Sequence, residues 1–169
     1  DYIDPTDGWS FSFGQDIAGP MMDVSYLRTR LRADYYHELA EGYVFHARAK
    51  MGIINDYRSG TINYNDRFFE GGSSFRGFDR SGVGPRQIST GYALGANRYL
   101  VGTTEVSLPL GLPKELGMKA NAFVDFGWLG ETDTFSGVAG DNQDEFALRA
   151  TYGLSLAWKS PFGPVRLDF

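Results

Sequence analysis

Leu27, Thr29, Leu31, Ala33 and Tyr35 fall on one parity, while Arg28, Arg30, Arg32 and Asp34 fall on the other. A strict period of two specifies a strand with unlike faces and excludes an amphipathic helix. The scheme recurs with Tyr43, Phe45, Ala47, Ala49 and Met51 opposed to Val44, His46, Arg48 and Lys50, again with a basic polar face. Thr104, Val106 and Leu108 oppose Thr103, Glu105 and Ser107, and Ala122, Val124, Phe126 and Trp128 oppose Asn121, Phe123, Asp125 and Gly127. Leu148, Ala150, Tyr152, Leu154, Leu156 and Trp158 continue it against Arg149, Thr151, Gly153, Ser155, Ala157 and Lys159. Val165, Leu167 and Phe169 begin one more strand, and Trp9, Phe11 and Phe13 supply the first, after a turn at Pro5-Thr6-Asp7-Gly8.

The reading is all-β, with about seven strands, several near the roughly 9 to 11 residues that a tilted membrane strand needs. Soluble strands average about half that. Short connections at 37–41, 109–115 and 160–164 alternate with long ones at 55–91 and 129–145, while the connection at 16–23 is ambiguous in length. Short turns at one end and long loops at the other are the asymmetry of an outer-membrane barrel. A soluble β-sandwich or lipocalin-like barrel also alternates, so periodicity by itself leaves both open.

Composition narrows the classes further. No run approaches the roughly 18 to 20 apolar residues of a membrane helix, whereas a mean hydropathy of -0.30 suits strands that alternate lipid and lumen. A net charge of -5 argues against a general nucleic-acid binder. The absence of cysteine removes disulfides, thiolate zinc sites and cysteine nucleophiles.

No catalytic set emerges. The run Gly71-Gly72-Ser73-Ser74-Phe75-Arg76-Gly77-Phe78 lacks the Gly-Lys-Ser/Thr ending of a phosphate loop, and no helix follows it. Gly153-Leu154-Ser155-Leu156-Ala157 lies mid-strand, where no sharp turn can expose a nucleophilic serine. The acidic stretch Asp141-Asn142-Gln143-Asp144-Glu145 does not match calcium-loop spacing, and neither His37 nor His46 has a partner at metal-ligand spacing. No metal or other cofactor is expected.

The long 55–91 connection is different. Phe68, Phe69, Phe75 and Phe78 offer anchoring area, and Gly71, Gly72, Gly77, Gly82 and Gly84 offer tight turns and close backbone approach. Such a loop is expected to fold back into the barrel interior. Arg76 lies in it, and Glu105 and Asp125 are isolated acids on the inner parity of two later strands. A guanidinium can fork to both carboxylates. Alternatively, each acid is simply solvated in a wet lumen.

The residues Phe68-Phe69-Glu70-Gly71-Gly72-Ser73, Phe75-Arg76-Gly77-Phe78, Gly84-Pro85-Arg86, Thr104-Glu105-Val106-Ser107-Leu108-Pro109, Phe123-Val124-Asp125-Phe126-Gly127 and Trp158-Lys159-Ser160-Pro161-Phe162-Gly163-Pro164-Val165-Arg166 resemble one family in order and spacing. It is the BamA family, the assembly factors of bacterial outer-membrane proteins, and the resemblance is to the C-terminal part of their barrel. It implies that Arg76 matches the family arginine of the lumen-tucked loop, that Glu105 and Asp125 match its acidic partners, and that Phe75 replaces the more usual valine.

The resemblance also implies a fragment. Family members carry soluble POTRA domains ahead of a barrel of about sixteen strands. The expectation is therefore that residues 1–169 are a C-terminal portion of an integral outer-membrane barrel, lacking the POTRA domains and the first and last strands. The implied function is non-covalent folding and insertion of β-barrel proteins, not enzymatic chemistry. Implied partners are unfolded outer-membrane β-barrel proteins, accessory lipoproteins and outer-membrane lipid, with no nucleic acid. The rival is a related polypeptide translocator of the two-partner secretion or TamA-like kind. Several members of that branch carry tyrosine where this chain has Phe78.

Overall fold

The computed structural model describes residues 5–19, 24–58, 60–113, 116–133 and 142–169. Its strands are β1 (Gly8–Ala18), β2 (Tyr26–Ala40), β3 (Tyr43–Asp56), β4 (Arg86–Gln87), β5 (Arg98–Leu108), β6 (Met118–Gly130), β7 (Asn142–Gln143), β8 (Arg149–Ser160) and β9 (Gly163–Asp168). Seven of them form one antiparallel sheet in the order β1-β2-β3-β5-β6-β8-β9, and β4 pairs with β7 apart from it. Helical structure among the described residues is short and of the 3-10 kind, as in the turns Tyr64–Asp66 and Gly72–Ser74. No helix there is long and apolar enough to cross a membrane. The all-β reading holds.

Register fixes the two faces. Arg32 opposes Lys50 across β2 and β3, Thr103 opposes Asp125 across β5 and β6, and Asp125 opposes Thr151 across β6 and β8. These positions share a polar face. The other face carries Phe11, Leu31, Met51, Leu100, Val124, Phe126, Tyr152 and Leu154, all of them large and exposed. A face of this kind in water would have to be covered, whereas in a bilayer it is the surface a barrel strand turns to lipid.

Strand ends differ from those read in the sequence. β2 runs 15 residues to Ala40, with an irregularity between Glu38 and Ala40, so the connection read as 37–41 reduces to a tight turn. The long connection spans 57–97, not 55–91, because β3 continues to Asp56 and β5 begins at Arg98. β1 extends to Ala18, shortening the connection read as 16–23, of which 20–23 lie outside the described residues. The same holds for 114–115 of the turn read as 109–115 and for 134–141 of the connection read as 129–145.

The apolar core lies between the polar face and the 57–97 connection. Phe75, Val83 and Ala96 of the connection pack with Tyr99 and Val101 of β5 and Leu129 of β6, flanked by Phe68 and Phe78. Gly52 on β3 makes this possible, since a Cβ there would stand 2.3 Å from the Tyr99 ring and 2.9 Å from Phe68.

Candidate functional site: an arginine anchor between loop and sheet

The 57–97 connection holds itself in shape before it meets the sheet. Phe68 exchanges two 2.9 Å main-chain hydrogen bonds with Ala96, and the Val83 N–H donates to the Glu70 carbonyl at 3.2 Å. Gly71, at φ 145°, sits where a Cβ would collide with the Asp79 carbonyl oxygen at 2.1 Å, so only glycine closes this turn. Gly72 opens the 3-10 turn, and its N–H donates to the Phe78 carbonyl at 2.9 Å. Phe75 is fully buried and meets Phe78 edge-on, with ring centroids 5.2 Å apart. Phe69 packs instead against Tyr64, away from the anchor.

These contacts aim Arg76 at the sheet. Its Nε donates to Asp125 Oδ2 and its Nη2 to Asp125 Oδ1, both at 2.7 Å, and its main-chain N–H adds a 3.1 Å bond to Asp125 Oδ2. Nη1 donates to Glu105 Oε2 at 2.6 Å. The guanidinium carbon lies 3.5 Å from the centroid of the Phe123 ring, a cation–π contact that closes the remaining side. Asp125 is 2% exposed and Arg76 6%. Burial opposes the Arg76 charge, but bonds to Asp125 and Glu105 outweigh it and hold the guanidinium above its ordinary pKa. Thr151 on β8 donates to the Arg76 carbonyl at 2.8 Å, and Gly77 passes so close that a Cβ would lie 3.0 Å from Thr151 Cγ2.

The basic face of β2 and β3 gathers its cations on three carboxylates, Asp16, Asp34 and Glu70. Arg28 and Arg30 donate to Asp16 at 2.9 and 2.8 Å, and Lys50 to Glu70 of the connection at 3.1 Å. Buried Asp34 collects Arg32, His46 and Arg48 at 2.6, 2.9 and 2.7 Å. A polar cavity of about 440 Å³ separates this wall from the anchor.

Sequence reasoning missed a second buried arginine. Arg67 donates to the carbonyls of Ile62 and Leu94 and to the Thr132 hydroxyl, at 2.7 to 3.1 Å, and so ties the connection to the segment after β6. Its partners are mainly main-chain oxygens, which leave no trace in side-chain patterns.

Other stretches weighed in the sequence have structural places. Ser155 lies within β8 and accepts from Asn121 and Arg166. Asp144 accepts the Glu131 and Thr132 N–H groups at 3.1 and 2.8 Å, while Asp141 lies outside the described residues. His37 is paired with Asp7 at 2.9 Å. No group of three or more potential metal ligands occurs among the described residues.

Comparison with known proteins agrees with this architecture. The Omp85 superfamily domain pattern matches residues 1–169. The chain is 36% identical over 168 residues to the outer membrane protein assembly factor BamA of Neorickettsia risticii, covering 99% of this chain and 22% of that protein. It is 27% identical over 168 residues to the protein of the same name from Nitratidesulfovibrio vulgaris, covering 98% and 20%. It therefore spans between 20% and 22% of the length of these relatives. The crystal structure of BamA from Haemophilus ducreyi lacking POTRA domains 1–3 superposes with a TM-score of 0.82 at 20% identity, over 98% of this chain and 35% of that one. With its long antiparallel strands and its two unlike sheet faces, the chain belongs to the Omp85 superfamily and forms part of an integral outer-membrane β-barrel.

Proposed function

We propose that the protein containing this chain folds and inserts other β-barrel proteins into the outer membrane, without covalent chemistry. In this reading the polar sheet face is the barrel lumen, the exposed apolar face meets lipid, and the 57–97 connection is tucked into the lumen. The observation that carries it is the Arg76 anchor, which seats a packed loop over the face that a passive pore would leave open. The assembly-factor names of the two relatives that align with nearly the whole chain support the same reading.

The physical need for such a factor is plain. Each unpaired main-chain polar group of an incoming strand costs several kcal/mol in lipid. A partner barrel that offers strand edges for pairing lowers that cost. The substrates are unfolded outer-membrane β-barrel proteins, and accessory lipoproteins and outer-membrane lipid complete the setting.

The test is the folding rate of an unfolded outer-membrane barrel in liposomes containing the full-length parent protein, against empty liposomes and an Arg76→Glu parent. Acceleration by the parent that the variant loses supports the proposal. No acceleration, with the parent folded and its accessory partners supplied, sinks it and makes cargo export, the translocator's activity, the next assay.

A further inference from the structure

Arg166 on β9 reaches the same carboxylate oxygen that Arg76 uses. Its Nη2 donates to Glu105 Oε2 at 2.7 Å, while Arg76 Nη1 approaches that atom at 2.6 Å. In the sheet, β8 and β6 lie between β9 and β5, so the Arg166 side chain crosses two strands along the polar face. Gly153 on β8 leaves room for the Phe123 ring that underlies Arg76, since a Cβ there would stand 2.8 Å from it.

The same nitrogen donates to Ser155 Oγ at 2.9 Å, and Arg166 Nε holds Asp168 Oδ1 at 2.8 Å. Ser155 accepts from Asn121, which in turn accepts from Ser107, so a polar ladder runs from β9 back to β5 beside the direct bridge. Two routes across the same four strands thus end on one side chain.

We propose that Arg166 is a positioning residue for the loop: it fixes the Glu105 carboxylate and thereby couples β9 to the Arg76 anchor. Glu105 takes both guanidiniums on one oxygen, so Arg166 helps hold that oxygen where Arg76 meets it. If β9 shifts or Arg166 is lost, Glu105 is free to turn and Arg76 keeps only Asp125 firmly. The loop tip then opens more often, while the distant Arg67 tie is untouched. The consequence for insertion rests on the function proposed above, but the coupling itself does not.

The experiment is amide hydrogen exchange in the folded full-length parent in detergent, comparing wild type, Arg166→Gln and Arg166→Lys. Exchange over residues 72–80 is expected to quicken by about two- to fivefold in Arg166→Gln, the range an ion pair of this exposure supplies. Residues 60–67 should keep their wild-type rates. Arg166→Lys should fall between, since lysine can reach Glu105 but cannot fork to Ser155 and Asp168 as well. Unchanged exchange over 72–80 overturns the assignment, as does an equal rise over 60–67, which marks general loosening. Exchange is read without substrate, so a parent that fails to accelerate barrel folding leaves this result intact. Should Arg166→Gln fail to fold, the lysine variant alone decides, by faster exchange confined to 72–80 or by none.

Discussion

Thr151 and Arg76 meet through the main chain: the threonine hydroxyl donates 2.8 Å to the Arg76 carbonyl, and the next residue, Gly77, rides directly over the Thr151 methyl. The loop is therefore held to the sheet from both sides of its arginine, by side-chain charge toward β5 and β6 and by backbone contact toward β8.

Gly77 is the sensitive point of that contact. Its φ of 81° lies where side chains are strained, and a Cβ would sit 3.0 Å from Thr151 Cγ2. Gly77→Val should destabilise the barrel by about 1–3 kcal/mol. Thermal unfolding of the full-length parent in detergent, followed by circular dichroism, measures this. Thr151→Ser, which keeps the hydroxyl and removes the methyl, should recover part of the loss in the double variant.

The anchor itself predicts an asymmetry between single and double substitutions. Asp125→Ala leaves the Arg76 guanidinium buried with only Glu105, and stranding a buried charge costs about 3–5 kcal/mol. Arg76→Met together with Asp125→Leu strands neither and should unfold closer to wild type than Asp125→Ala. Equal midpoints for Asp125→Ala and wild type would show that the pair is solvated.

Arg67 tests whether shape or charge matters in the upper part of the loop. Its nitrogens divide among three carbonyls and a hydroxyl, which an ammonium cannot reproduce. Arg67→Lys should therefore destabilise almost as much as Arg67→Met, leaving carbonyls without donors at about 1–3 kcal/mol. Limited proteolysis within residues 57–97 of the folded parent reads this directly, with faster cleavage expected in both variants.

What was legible in the sequence, and what was not, follows from where the loop lies. β2 reads cleanly because its two faces meet different surroundings along most of its length. Alternation fades at the end of β3 and the start of β5, where the polar face is covered by the loop and so becomes apolar: Ile54, Tyr99 and Val101 are all buried there. Runs such as Gly52-Ile53-Ile54 and Tyr99-Leu100-Val101 lose their period of two, so the sequence pattern ends the loop at 91 where the structure ends it at 97. The Arg76 partners were visible as isolated acids on the right parity. Arg166 was not, because its 61-residue separation from Glu105 becomes a contact only once the order and register of four strands are known.

The apolar face carries the last prediction. Val124 lies near the middle of the 13-residue β6, pairs with Thr104 and Tyr152, and is 42% exposed on the side away from the loop. If this face meets hydrocarbon, Val124→Arg places a cation near the bilayer midplane, at a cost of about 2–4 kcal/mol. In water an exposed Val→Arg substitution on a sheet surface changes stability by less than about 0.5 kcal/mol. Unfolding of the full-length parent from liposomes in urea separates the two. A cost in the higher range places Val124 in lipid, and a negligible one would mean that this face is covered by water.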